Sequence, residues 1–251
     1  MDNLKTLLDV QNLGKRFEGT QVLNDINIKV TEGEFIAIMG QSGSGKSTLL
    51  YNISGMDRPT SGMVLFGGKI ISKLDDKKMS EIRLKQMGFI FQHSHLLKNL
   101  SIRDNIVFPG FKAGRYPRDK INQMADALME KTGISNVADH DIKKVSGGQL
   151  QRAGICRSLI NQPKILFADE PTGALNSSTT KDVMNIINKV NTEGTTVIIV
   201  THDAKVAARA DRVVFLMDGT IHDQLKLGKY GGENELSREK RLSGWLEKQG
   251  F

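Results

Sequence analysis

A chain of 251 residues with 39% hydrophobic and 25% charged content has an ordinary globular composition and enough length to bury a sizeable core. No apolar stretch approaches the roughly 18–20 residues needed to cross a bilayer, and the first 17 residues lack a basic-then-apolar leader layout, so a membrane role is expected to run through a partner. The single cysteine excludes an internal disulfide and a cysteine-rich zinc site, while the net charge of +7 favours anionic partners without choosing among them.

Taken in chain order, Leu7–Leu13 and Val22–Val30 mix apolar runs with alternation, and the second is cleanly period-2, which predicts half-exposed antiparallel strands. Phe35–Met39 is unbroken apolar, as in a parallel strand covered on both faces, and it runs into Gly40-Gln41-Ser42-Gly43-Ser44-Gly45-Lys46-Ser47. Met63–Phe66 reads as a further strand, and Asp75-Asp76-Lys77-Lys78 as a solvated mixed-charge face. Phe89-Ile90-Phe91 is a short apolar run ending at Gln92, and His93 and His95 read as loop residues. From about residue 93 to 160 the pattern turns helical, with an amphipathic helix over Lys120–Lys131 and a helical stretch from His93 to Phe111. Leu96, Leu97, Leu100 and Ile102 in that stretch serve either as core or as the lining of a docking groove. Ser146-Gly147-Gly148-Gln149 opens another helix, in which Cys156 reads as a small buried apolar group. Ile165–Ala168 and Thr196–Val200 are two more unbroken strands, ending in Asp169-Glu170 and Thr201-His202-Asp203. Val213–Met217 enters a tight turn at Asp218-Gly219, and in the tail only Leu242, Trp245 and Leu246 hint at a short helix.

Three strand ends carry polar residues, and ligands of open α/β sheets bind at the carboxyl ends of strands. The segment Gly40–Ser47 fits a phosphate-binding loop: its glycines let backbone N–H groups converge on phosphate, and the helix that follows adds its positive end. Lys46 would reach the β- and γ-phosphates, and the Ser47 hydroxyl would bind Mg²⁺. Asp169 is placed to hold Mg²⁺ through water, Glu170 to polarise the attacking water, Gln92 to bind Mg²⁺ or water, and His202 to donate to the γ-phosphate. Ser146–Gln149 is a second anion site of helix-terminal N–H groups. One nucleotide per chain needs only one such site, so two copies packed head to tail, each lending its Ser-Gly-Gly-Gln to the other's nucleotide, would use both.

In this order and spacing, Gly40–Ser47, Gln92, Ser146–Gln149, Lys164–Glu170 and His202 resemble the nucleotide-binding domain of ABC transporters, over nearly the whole chain. The resemblance implies an α/β P-loop NTPase fold: a RecA-like, mainly parallel sheet core, an N-terminal antiparallel β subdomain and an inserted helical subdomain. It implies one domain over 1–251, with the core from 1–92 and 161–225, the helical part from 93–160 and a tail from 226–251. It also implies ATP and Mg²⁺ as ligands, Phe17 stacked on adenine, Thr48 continuing the phosphate contact, catalytic Glu170 and switch residue His202. The implied partners are a second copy and a membrane permease, not nucleic acid, with the chain peripheral on the cytoplasmic face of the membrane. Asn176 stands where the family usually has an aspartate, and Val145 where it has a leucine. Gly88–Gln92, Phe167–Leu175 and Thr201–Asp203 look like the subgroup serving lipoprotein release, macrolide export and antimicrobial-peptide resistance, and within it Ala210–Val214, Met217–Gly219 and the glycine-rich tail look most similar to bacitracin-resistance-type ATPases. The rival readings are a soluble ATPase acting on nucleic acid and a small P-loop kinase. Related nucleic-acid ATPases carry coiled-coil, zinc or second-cassette insertions not found here, and a kinase would leave Ser-Gly-Gly-Gln without a role.

Overall fold

The alternation over residues 22–30 becomes one side of a long hairpin. In the computed structural model, which describes residues 5–231 and 235–250, β1 (Thr6–Phe17) pairs antiparallel with β2 (Thr20–Thr31). Glu18 and Gly19 both adopt positive φ (44° and 89°), the geometry that lets a two-residue turn follow the twist of the strands. Leu23, Ile26, Ile28 and Val30 point inward and are buried, while the residues between them face solvent.

Further along come β3 (Phe35–Met39), α1 (Lys46–Ile53), β4 (Ser61–Phe66), β5 (Lys69–Ile70), α2 (Asp76–Gln86) and β6 (Met87–Phe91). The middle of the chain holds α3 (Ile102–Ala113), α4 (Arg118–Thr132) and α5 (Gly147–Leu159). The remainder is β7 (Ile165–Asp169), α6 (Ser177–Thr192), β8 (Thr196–Val200), α7 (Ala204–Ala207), β9 (Arg212–Met217), β10 (Thr220–Lys226) and α8 (Glu235–Lys248). The chain divides into two units, residues 1–79 with 191–251, and residues 80–190.

In the first unit, β2-β1-β4-β5 form an antiparallel sheet, and a second sheet runs β10-β9-β3-β8 within this unit. There β3 lies parallel to both β8 and β9, and β10 folds back on β9 through Asp218-Gly219, the turn expected from sequence. Every residue of β3 and β8 is buried, which explains their unbroken apolar runs. The tail forms a helix: α8 buries Leu242 and Leu246, and Trp245 donates its indole N–H to Asp223 at 2.8 Å while meeting Phe215 edge-on. The Arg238 guanidinium donates to the carbonyls of Ala208, Ala210, Leu227, Gly228 and Lys229, anchoring α8 from one side chain.

In the second unit β6 and β7 pair in parallel, and α3, α4 and α5 pack around Ile102, Ile106, Ile121, Met129, Ala153 and Ile160. Cys156 sits in this core with its Sγ 3.2 Å from Thr132 Oγ1, and burial pushes its thiol pKa up to about 11. The helical reading of residues 93–111 needs correction, because α3 begins only at Ile102. Asn105, itself buried, accepts from Leu97 N at 2.7 Å and donates to the carbonyls of Leu97, Leu100 and Ser101, so these three residues find backbone partners without a helix. Ser101 then caps α3 by accepting from Asp104 N. Residues 76–86, which begin with the charged stretch read as a solvated face, form the helix α2. That helix buries only Met79, so it offers no apolar stripe for a periodicity to detect.

Candidate functional site

The phosphate loop leaves β3, and its glycines are required for two different reasons. A Cβ on Gly40 would lie 2.1 Å from the Leu216 carbonyl oxygen, and one on Gly45 would meet Leu23 and Val22 at 2.9 and 3.1 Å. Gly43 has open space around it but holds φ +81°, a conformation that favours glycine. Gly45 precedes α1 without capping it through a side chain, so the helix start is not closed off by its own sequence. Lys46 Nζ arches back over the loop and donates to the carbonyls of Gly40 (2.9 Å) and Gln41 (2.8 Å). Ser44 Oγ is buried and has no hydrogen-bond partner among the described residues. A glycine-shaped cradle, an orphaned hydroxyl, an uncapped helix start and a lysine within reach suit a bound phosphate chain.

His202 leaves the neighbouring strand. Ile38 and Val200 are register partners, Thr201 N donates to Ile38 O at 3.2 Å, and the exposed His202 follows directly. Thr201 and Asp203 fix its flanks, since Thr201 Oγ1 accepts from Asp203 N and Asp203 caps α7. Phe17 ends β1 with its side chain 46% exposed, as a stacking platform must be. Beneath it lies Lys15, a residue to which the sequence assigned no role. Its Nζ sits 4.6 Å from the ring centroid and is held by Asp57 and the Arg58 carbonyl.

In the second unit Phe91 and Asp169 are register partners, so Gln92 and Glu170 step off adjacent parallel strands at the same level. Glu170 takes φ +46°, uncommon for a residue with a side chain, and such conformations cluster at functional positions. A Cβ on Gly173 would come within 3.0 Å of Gln92 Nε2, so the loop after Glu170 passes close to Gln92. Asn176 Oδ1 accepts from Thr179 N, a capping bond at the start of α6 that an aspartate could also make. Ser146 caps α5 in a reciprocal box with Gln149, and Ser146 and Gly147 are exposed. Of the four groove candidates, Leu96 and Ile102 belong to the helical core, whereas Leu97 is 48% exposed. Gln151 and Arg157 on α5 make buried contacts that the helical pattern alone did not announce.

A family model described as ABC transporter matches residues 23–173. The chain belongs to the ABC transporter family. Among curated relatives of this ABC cassette, a macrolide export ATP-binding/permease protein of Rhodospirillum rubrum is 39% identical over 94% of the chain, which covers 37% of that protein. The cassette thus spans little more than a third of the macrolide-export relatives it matches. A lipoprotein-releasing system ATP-binding protein of Leptospira interrogans is 40% identical over 85% of the chain and is itself 90% covered. A solved dimeric ATP-binding cassette, MJ0796, in a post-hydrolysis state with ADP and phosphate, superposes with a TM-score of 0.83 at 34% identity, covering 89% of this cassette and all of that chain. The α/β P-loop fold with its antiparallel sheet and the ATPase class of this cassette follow from these relationships.

Proposed function

We propose that two copies of this cassette close head to tail on two ATP molecules and pass the movement to a membrane permease. The observation that carries the reading is the pair of helix starts. The α1 end, with its glycine cradle and Lys46, suits the chain's own nucleotide, while the exposed Ser146–Gly147 end of α5 suits a nucleotide held by another copy. A structural relative that is a nucleotide-bound dimer supports assembly of two copies.

Within this reading Gly40–Thr48 cradle the phosphates, Phe17 stacks on adenine, and Lys46 exchanges its two loop carbonyls for phosphate oxygens. Glu170 orients and polarises the attacking water, and His202 donates to the terminal phosphate. Ser47, Gln92 and Asp169 offer a hydroxyl, an amide and a carboxylate, the hard-oxygen donors that Mg²⁺ takes, and the ion would neutralise charge on the phosphates. Relatives that join ATP-binding and permease parts in one protein support a permease partner and a place on the cytoplasmic face of the membrane. Antimicrobial-peptide resistance is the role we infer, from Ala210–Val214, Met217–Gly219 and the glycine-rich tail; lipoprotein release or macrolide export is the alternative.

Gel filtration of the Glu170→Gln variant tests the core of this reading. It should elute as a monomer alone and as a dimer with ATP, and adding a Ser146 replacement should abolish the dimer. Full turnover by a strict monomer that tolerates loss of Ser146 would end it. The permease is the membrane protein that copurifies in detergent, and loss of the gene should sensitise cells to peptide antibiotics rather than macrolides.

A further inference from the structure

Gln151 lies just past Ser146–Gln149, the signature turn of the family, on the signature helix α5, and is 3% exposed. Its amide nitrogen donates to two backbone carbonyls, Phe91 O at 3.0 Å and Pro171 O at 2.7 Å. Phe91 immediately precedes Gln92, and Pro171 immediately follows Glu170. A primary amide carries two N–H donors on one nitrogen, so a single uncharged side chain can serve both carbonyls in a dry site. Two more positions on the same helical face continue the grip, at the three-residue spacing that brings side chains into line. Gly154 lets Ser94 approach so closely that a Cβ there would lie 3.4 Å from Ser94 Cβ. Arg157 donates to Ser94 O at 2.6 Å and His95 O at 2.8 Å, and its burial draws its pKa below the usual guanidinium range. The signature helix therefore holds residues 91–95 at successive points along its length, and through Gln151 it also holds the residue after Glu170.

We propose that Gln151 is a positioning residue that ties the signature helix to Gln92 and Glu170 of its own chain, so that closure at one nucleotide is transmitted to the other. The inference rests on the head-to-tail reading, because only in that arrangement do a chain's Glu170 and its Ser146–Gln149 serve different nucleotides. A helix that shifts when Ser146 engages the partner's nucleotide drags Pro171 and Phe91 with it, and the loops carrying Glu170 and Gln92 move together.

The test uses Gln151→Met, which keeps the side-chain length but donates to neither carbonyl, and Gln151→Glu. Fluorescent ATP-analogue binding should stay within about twofold, since Gln151 lies outside the phosphate loop, while turnover falls by roughly tenfold or more, as expected when both hydrogen bonds are lost. The Hill coefficient should drop from above one towards one. The Gln151→Glu variant adds a dependence on pH. Its carboxylate can only accept, whereas the protonated acid can donate to one carbonyl, so turnover relative to wild type should rise as pH is lowered from about 8.5 to about 6. Cooperative turnover by Gln151→Met at the wild-type rate would overturn the proposal alone. A slower Gln151→Met that keeps the wild-type Hill coefficient, with a pH-independent Gln151→Glu ratio, would do the same by showing a merely structural role. Should Gln151→Met not fold, the Gln151→Glu pH profile decides. Non-cooperative turnover by a monomeric wild-type chain would instead sink the two-copy reading and take this proposal with it.

Discussion

Replacing Gly40 with alanine tests whether the phosphate loop is shaped by close approach or only by backbone conformation. The new Cβ would lie 2.1 Å from the Leu216 carbonyl oxygen, a backbone atom of β9 whose residue pairs with Ile221 of β10, so no flexible side chain can give way. Forcing such an overlap costs about 1–3 kcal/mol, and left-handed or otherwise glycine-favoured backbone adds about 1–2 kcal/mol. Gly43→Ala is the control, because it carries φ +81° but nothing lies within 4 Å of its Cβ position, so it should show the backbone cost alone. Gly40→Ala should therefore be the less stable variant by about 1–3 kcal/mol, which at a urea slope of about 2 kcal/mol/M separates the midpoints by roughly 0.5–1.5 M. Trp245 is the chain's one tryptophan and meets Phe215, the register partner of Met39, at 6.1 Å between centroids. Its fluorescence thus reports the sheet beside the loop. Coincident midpoints for the two variants would refute the role assigned to the Leu216 contact.

Three other outcomes are expected. With its thiol pKa raised to about 11, Cys156 is only about one part in a thousand thiolate at pH 8, so a thiol reagent should label the native chain at least about a hundredfold more slowly than the urea-unfolded chain. Labelling should rise only as pH climbs towards that value, and fast native labelling at pH 8 would contradict the burial. Arg238→Ala leaves five carbonyls without their shared donor and should loosen α8 by about 2–4 kcal/mol, read as faster proteolysis after residue 231; lysine, with a point charge in place of a planar fork, should not restore it. Asn105→Ala removes the partner of Leu97 N and of three carbonyls, so hydrogen exchange should quicken across residues 97–101 while α4 keeps its protection.

What could be read along the chain is what local pattern encodes. Unbroken apolar runs marked β3, β7 and β8, alternation marked β2, and Asp218-Gly219 marked the turn into β10. The residues proposed for ATP chemistry were legible because phosphate binding needs particular residue types at fixed short spacings, as in Gly40–Ser47 and Ser146–Gln149. Tertiary structure decided the rest. The segment before α3 stays out of a helix with Asn105 partnering the backbone of Leu97, Leu100 and Ser101, and only the folded chain shows that side chain turned inward. Gln151 looks like any polar helix residue until its partners, 60 and 20 positions away, arrive on either side of it. The amide's place in a dry core depends on both carbonyls being there, and no local periodicity can record a hydrogen bond made at that distance.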